Sequence, residues 1–291
     1  MITQQIVNGI TLGSVYATIA AALTLSIGVL KFLNFSIPGL FMLGGMLTWF
    51  LIHIGFPLPI AALATLACTA IFSVLVERFT WRWMHEAEHF VPLVSSMAFL
   101  LLFEHAAVNA WGSDAQVLPV DVALPDWQIA GLVIGAAQLI GLICSVTLIS
   151  GLSYLLKYTR TGRALRTIAE NPETGLLLGV DIGRLVLAVF VIAGAYAAFA
   201  GILFALNYRQ VHPFICDAVG LKGISAMIVG GMGNIWGSII GGLIVGLTEV
   251  MAITYLGAGF VDIAVFGLLL FTLWFRPSGL FGGTTATRAN L

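Results

Sequence analysis

The chain has 291 residues, 60% of them hydrophobic and 9% charged, with a formal net charge of −1. Soluble domains carry about 25% charged residues, so this composition excludes a water-soluble globule, and its charge balance gives no sign of a nucleic-acid partner. A mean hydropathy of +1.06 belongs to a polytopic protein solvated by membrane lipid.

A helix crosses a hydrocarbon core with about 20 apolar residues. Such runs are predicted near 6–30, 36–55, 58–77, 92–111, 129–156, 185–207, 234–256 and 258–275, with a short ninth apolar piece at 221–232. The chain opens MITQQIVNGI, with no basic segment ahead of the first apolar run and no small-residue cleavage site, so that run is expected to be a retained span. The longest polar connections, 112–127 and 157–184, are loops in size. The expected fold is all-α, a polytopic transmembrane helical bundle of about eight spans in one domain over 1–291.

Loop charge orients the bundle, because Lys and Arg resist translocation. Lys157, Arg160, Arg163, Arg166 and Arg184 place the 157–184 loop in the cytoplasm, and Asp114, Asp121 and Asp126, with no base among them, place 112–127 outside. Counting back puts Lys31, Arg78 and Arg82 inside and the N-terminus outside. Counting forward leaves a conflict. Arg276 and Arg288 favour a cytoplasmic tail, but two spans after 207 would leave the tail outside; either 221–232 is a re-entrant or third crossing, or the tail is an exception.

Cys68, Cys144 and Cys216 are scattered through apolar runs and read as small hydrophobes, without metal or redox spacing. Trp81 and Trp83, beside Arg78 and Arg82, suit a membrane interface. His85 and His89 stand at i, i+4 in a juxtamembrane loop, and no tight metal constellation forms among the five histidines. Ionisable groups inside spans are costly and therefore point to function. Glu104 with His105, Glu249, and Asp262 near the start of a span are such groups; a polar pair buried between helices, or for Asp262 an interfacial position, is the plainer reading of the same residues.

In the charged loop, Arg163, Arg166 and Glu170 fall on one helical face and Leu165, Ile168 and Ala169 on the others, which predicts a short amphipathic helix over 162–170. Asn171 can cap a second helix, Pro172 suits its first position and Glu173 its dipole. That helix is expected to end near 178, at an αL cap on Gly179. The pair presents either a docking surface on the cytoplasmic face or a solvated loop that only sets topology. Glycine clusters at Gly44-Gly45 and Gly230-Gly231 lie in similar phrases, FMLGGM and MIVGGM. Interrupted segments in corresponding positions mark transporter binding sites, and the same glycines also suit close helix packing.

Several chemistries are absent from the sequence. It has no Gly-x-x-x-x-Gly-Lys-Ser/Thr loop, no His-Glu-x-x-His and no Gly-x-Ser-x-Gly, so no catalytic residue, cofactor or metal is expected and ATP hydrolysis would need a partner. The segment TGRALRTIAENPETGLLLGVDIGRL resembles the coupling loop of the permease subunits of bacterial ABC importers for branched-chain amino acids. NGITLGSVYATIAAALTL, LNFSIPGLFMLGGM, IVGGMGNIWGSIIGGLIVGLTEV and FRPSGLFG agree with the same family in order along the chain. The resemblance places Glu173, Thr174, Gly175 and Gly179 at the family's Glu-Ala-Ala and Gly positions, and with Arg163, Arg166, Glu170 and Asn171 they form the expected ATPase-docking surface. Asn34, Gly44, Gly45, Glu104, His105, Gly230, Gly231 and Glu249 are the candidates for the translocation pathway. The family usually reads Asn-Phe-Ala-His-Gly where this chain has Asn34-Phe35-Ser36-Ile37-Pro38, so a polar His is missing.

The resemblance implies a permease in the bacterial inner membrane, in contact with ABC ATPase subunits, a second permease, an extracytoplasmic solute-binding protein and a small-molecule substrate. Branched-chain amino acids are the expected solute. Urea or short amides, carried by related permeases, and a stand-alone secondary transporter are the alternatives; the charged helix-breaking loop argues against the latter.

Overall fold

Eight helices are long and apolar enough to cross a membrane in the computed structural model, which describes residues 2–83, 90–119, 127–129, 132–170, 175, 177 and 179–282. In chain order the helices are α1 (Ile2–Leu30), α2 (Ser36–His53), α3 (Leu58–Glu77), α4 (Phe90–Trp111), α5 (Ala136–Tyr158), the short α6 (Arg160–Glu170), α7 (Ile182–Tyr208), α8 (Ile215–Gly230), α9 (Ile235–Tyr255) and α10 (Val261–Phe275). Two small antiparallel ribbons join them: β1 (Gln116–Val117) with β4 (Gln210–Val211), and β2 (Trp127–Ile129) with β3 (Leu132–Ile134).

Two of the expected spans start or stop elsewhere. The run from 129 does not enter a helix until Ala136, because 127–129 pairs antiparallel with 132–134 and Gly135 holds an extended backbone at φ −65° and ψ 139°. β-Branched Ile129, Val133 and Ile134 favour that pairing. α3 continues beyond Glu77 through a widened helical turn over Arg78–Arg82. Residues 221–230 of the apolar piece at 221–232 form the second half of α8, a 16-residue helix about 24 Å long at 1.5 Å per residue.

The course of α8 settles the conflict over the tail. One end of the bundle gathers the end of α3, the start of α7, α6 and the α8–α9 turn; Trp81 and Arg82 share a cleft with Asp181 and Arg184, and Lys157 and Arg166 share another with Asn234 and Trp236. The opposite end carries the β1–β4 ribbon and the starts of α1 and α5. α8 leaves β4 at that opposite end and reaches the basic end at Gly230, so three helices follow α7. Leu280 N and Phe281 N then donate to Val229 O and Gly230 O at 2.9 and 3.0 Å, which seats the stretch after α10 at the basic end beside Arg276. Of the other described bases, Arg209 lies at the opposite end and Lys222 is buried.

Glycines fix which helices meet. α1 and α9 run antiparallel, with Gly9 and Gly13 of α1 facing Gly242 and Gly246 of α9. A methyl on Gly242 would stand 2.5 Å from Ala17 Cα, and one on Gly246 would stand 2.3 Å from Gly13 Cα. Two small-xxx-small stripes thus face each other, the arrangement that lets helix backbones touch in a medium without hydrophobic drive between helices. The hydroxyls of Thr24 and Ser238 close the basic end of this seam with a hydrogen bond. α1 is consequently almost wholly enclosed, whereas α3, α4, α5 and α10 turn apolar faces outward, as Leu63, Leu102, Ile143 and Leu270 show. Lipid tails can solvate those faces at no cost.

Candidate functional site

A charge at the centre of a span costs about 3 kcal/mol on insertion scales and persists where it is partnered. Two turns into α8, Lys222 directs Nζ to Glu249 Oε1 on α9 at 2.8 Å. Tyr16 of α1 donates its hydroxyl to Glu249 Oε2 at 2.7 Å. Lys222, Glu249 and Tyr16 are 7%, 9% and 1% exposed, so each carboxylate oxygen has one buried donor and the charges of acid and base cancel. Asp262, at the start of α10, brings Oδ1 to 3.7 Å from the same ammonium while its own side chain is 71% exposed. The cluster joins four helices around one ammonium that has two acids within reach.

Glu104 and His105 are adjacent in sequence and part company in space, because neighbours on a helix point about 100° apart. Glu104 is buried against α8, where the Cys216 thiol lies 3.8 Å from its Oε2. His105 is exposed and bonds through Nδ1 to Leu101 O of its own helix. Glu104, Cys216 and Asp217 bring their side-chain atoms within 4.8 Å of one another. Just outside the spans, desolvation lowers the pKa of half-buried His212.

The remaining pathway candidates are packed into the bundle. Asn34 is buried and its Oδ1 accepts from Ser36 N and Oγ at 3.0 and 2.7 Å, which braces the start of α2. Ile37 is buried, and Pro38 packs its ring on Gly220 of α8. Gly44 abuts Ala198 of α7, Gly45 abuts Val211, Gly230 abuts Gly237 and Ser238, and Gly231 abuts Gly282. At φ +114°, Gly231 ends α8 in a backbone conformation that side chains disfavour.

The basic end holds the docking candidates. α6 begins at Arg160 and keeps the expected amphipathic form, with Leu165 and Ile168 buried and Arg163, Arg166 and Glu170 exposed. Gly162 lets it lie on the end of α5, since a methyl there would stand 2.2 Å from Leu155 O. Arg163 and Arg166 donate back to the carbonyls of Tyr158 and Lys157 at 3.3 and 3.2 Å, capping α5 with positive charge. Asn171, Glu173 and Thr174 lie outside the described residues, as does most of the second helix. Its expected stop is visible: Gly179 has φ +74°, and Val180 N donates to Gly175 O at 3.1 Å, the long bond of a Schellman cap.

Residues 5–273 match the protein family described as branched-chain amino acid transport system / permease component. The chain belongs to that family. It is 30% identical to the high-affinity branched-chain amino acid transport system permease protein BraD of Pseudomonas aeruginosa, over 96% of this chain and 95% of that one. It is equally 30% identical to the high-affinity branched-chain amino acid transport system permease protein LivH of Salmonella typhimurium, with the same coverage. PsaBC from Streptococcus pneumoniae, solved in complex with Fab, shares the fold at a TM-score of 0.51 and 10% identity, covering 96% of this chain and 93% of that one. This permease is therefore a multi-pass membrane component of an ABC transport system and not an enzyme.

Reading the sequence of this permease finds Glu249 and Asp262 and misses both of their partners. Lys222 is a lone cation inside an apolar run, and its presence there is the signal that could have paired it with Glu249 on the next helix. Tyr16 carries no such signal, since a tyrosine in a span reads as packing.

Proposed function

We propose that this permease forms half of a pathway for branched-chain amino acids across the bacterial inner membrane, pairs with a second permease, and is driven by ATPase subunits docked on its basic end. The positive-inside rule makes the basic end cytoplasmic, so an extracytoplasmic solute-binding protein would deliver at the opposite end. The observation that carries this reading is α6: an amphipathic helix clasped to α5 through Gly162, with its charged face turned outward where a soluble subunit can reach it. A cleft of about 540 Å³, lined by Tyr158, Arg166, Asn234 and Trp236 among others, separates α6 from the α8–α9 turn. It gives the loop room to shift against the helices that carry Lys222 and Glu249, and alternating access would use that shift.

The test is co-purification of ATPase subunits with the membrane-extracted permease, together with uptake of labelled leucine into proteoliposomes holding the full complex and binding protein. Glu173→Lys is expected to lose the ATPase subunits and to cut uptake at least about tenfold, with the permease still folded in the membrane. Retained co-purification and uptake would overturn the docking assignment. Uptake of urea in place of leucine by the unaltered complex would overturn the solute.

A further inference from the structure

We infer that the cleft between α6 and the α8–α9 turn is a binding site for an anionic phospholipid of the cytoplasmic leaflet. The cleft, of about 540 Å³, is walled by Lys157 and Arg166 and by the rings of Tyr154, Tyr158 and Trp236. Among the described residues no acidic side chain lines it, and no carboxylate stands within ion-pair reach of either base. Arg166 gives one bond, from Nη2 to Lys157 O at 3.2 Å, which leaves most of its five-donor fork open. The Lys157 ammonium lies 5.6 Å from the centre of the Tyr158 ring, a contact that holds a cation without neutralising it.

Two bases facing one cleft select an anion, and a phosphate oxygen is the acceptor that suits both an ammonium and a guanidinium fork. The amide of Asn234 takes no part in that choice. Its Oδ1 accepts from Trp236 N and Gly237 N at 3.1 and 3.3 Å and its Nδ2 donates to Phe281 O at 2.9 Å, so it is spent on the start of α9. A zwitterionic headgroup would bring an ammonium for which this wall has no acid, whereas a phospholipid of net negative charge needs only the two bases.

The surface that leads into the cleft suits acyl chains. On α5 the exposed residues Ile143, Val146, Ser150 and Tyr154 follow one another at helical spacing down to Lys157, and on α9 Trp236 and Ile240 do the same. From Val146 to Lys157 the helix rises about 16 Å at 1.5 Å per residue, roughly half of a hydrocarbon core about 30 Å thick. A phosphate held by the two bases therefore has a track one leaflet long for its chains. Tyr154 and Trp236, 63% and 60% exposed, stand at the depth where aromatic side chains meet headgroups. An acidic segment of a soluble subunit would satisfy the bases and leave the track unused. A lipid in this cleft fills the space between α6 and α9 and sets how closely the two can approach.

The experiment titrates the delipidated full complex in detergent with phosphatidylglycerol or phosphatidylcholine and counts the lipid retained by native mass spectrometry. The unaltered complex is expected to hold phosphatidylglycerol at least about tenfold more tightly than phosphatidylcholine. Lys157→Gln is expected to weaken phosphatidylglycerol at least about fivefold at an unchanged melting temperature, and Lys157→Arg to retain it. Arg160→Gln removes the same charge from the same end outside the cleft wall and is expected to leave binding unchanged. Equal losses in Lys157→Gln and Arg160→Gln, or no preference for phosphatidylglycerol in the unaltered complex, would overturn the site. Displacement of the lipid by soluble glycerol phosphate would overturn the lipid as the source of the phosphate. Binding that emerges only once the ATPase subunits are stripped away would overturn it in favour of an acidic segment of those subunits.

Discussion

α8 and α9 meet twice, and the two contacts are built from different materials. At the basic end the joint is backbone on backbone: a methyl on Gly237 would stand 2.3 Å from Gly230 O, and one on Gly241 would stand 2.1 Å from Ala226 O. The stretch after α10 straps the same joint, with Phe281 N bonded to Gly230 O and Asn234 Nδ2 to Phe281 O at 2.9 Å. Toward the opposite end, midway along α8, the joint is a pair of long side chains, Lys222 and Glu249, with Asp262 as a second acid within reach. Close-packed backbones have one arrangement and no rotamers to exchange, while an ammonium between two carboxylates has at least two. The helix pair is thus clamped where ATPase subunits are proposed to dock and adjustable toward the end where solute is proposed to arrive.

The largest expected effect comes from breaking the clamp. Gly241→Leu forces a side chain into the Ala226 and Gly230 backbones, where no flexible group can yield. Overpacking of this kind costs about 1–3 kcal/mol and more when backbone must move. We expect the variant to yield no monodisperse permease by size-exclusion chromatography in detergent; a normal elution profile and melting temperature would show that the clamp can open.

Breaking the adjustable joint should cost nearly as much, and for a different reason. Glu249→Leu leaves Lys222 buried without its close partner, at about 3–5 kcal/mol for one half of a buried pair. The double variant Lys222→Met, Glu249→Leu removes both charges and is expected to recover most of the lost melting temperature. Its leucine uptake is expected to stay at least about tenfold below the unaltered level. A double variant that melts and transports normally would reduce the ion pair to a structural staple.

How much of this could be read from sequence follows from the range of each interaction. Hydrophobic length identified the eight long helices, and local chemistry identified α6 and the αL cap at Gly179, because each depends on residues within a turn or two. α8 was obscured by its brevity: at 16 residues it falls short of the usual span, so its second half read as a fragment and its lone Lys222 went unpaired. The Lys222–Glu249 contact spans 27 residues and the Tyr16–Glu249 contact 233, distances over which no local pattern operates. Adjacency misled in the opposite sense at Glu104-His105, where helical geometry sends the two side chains to different surroundings.

The smallest effect on stability, and the sharpest discrimination between the two joints, is expected from Asp262→Asn. Its carboxylate is largely exposed and stands 3.7 Å from Lys222, whereas Glu249 stands at 2.8 Å and takes a second bond from Tyr16. Exposed ion pairs contribute about 0–1 kcal/mol, so the melting temperature should barely move. Turnover is another matter. If the ammonium stays on Glu249 throughout transport, loss of Asp262 leaves the uptake rate unchanged. If it passes toward Asp262 as α8 shifts against α10, the asparagine removes the charge that would receive it, and leucine uptake should slow several-fold with co-purification of the ATPase subunits intact. A lowered rate at unchanged stability would make the solute-end joint a moving part, and an unchanged rate would make both joints fixed, transferring the motion of transport to the interfaces that α3, α4 and α10 leave exposed.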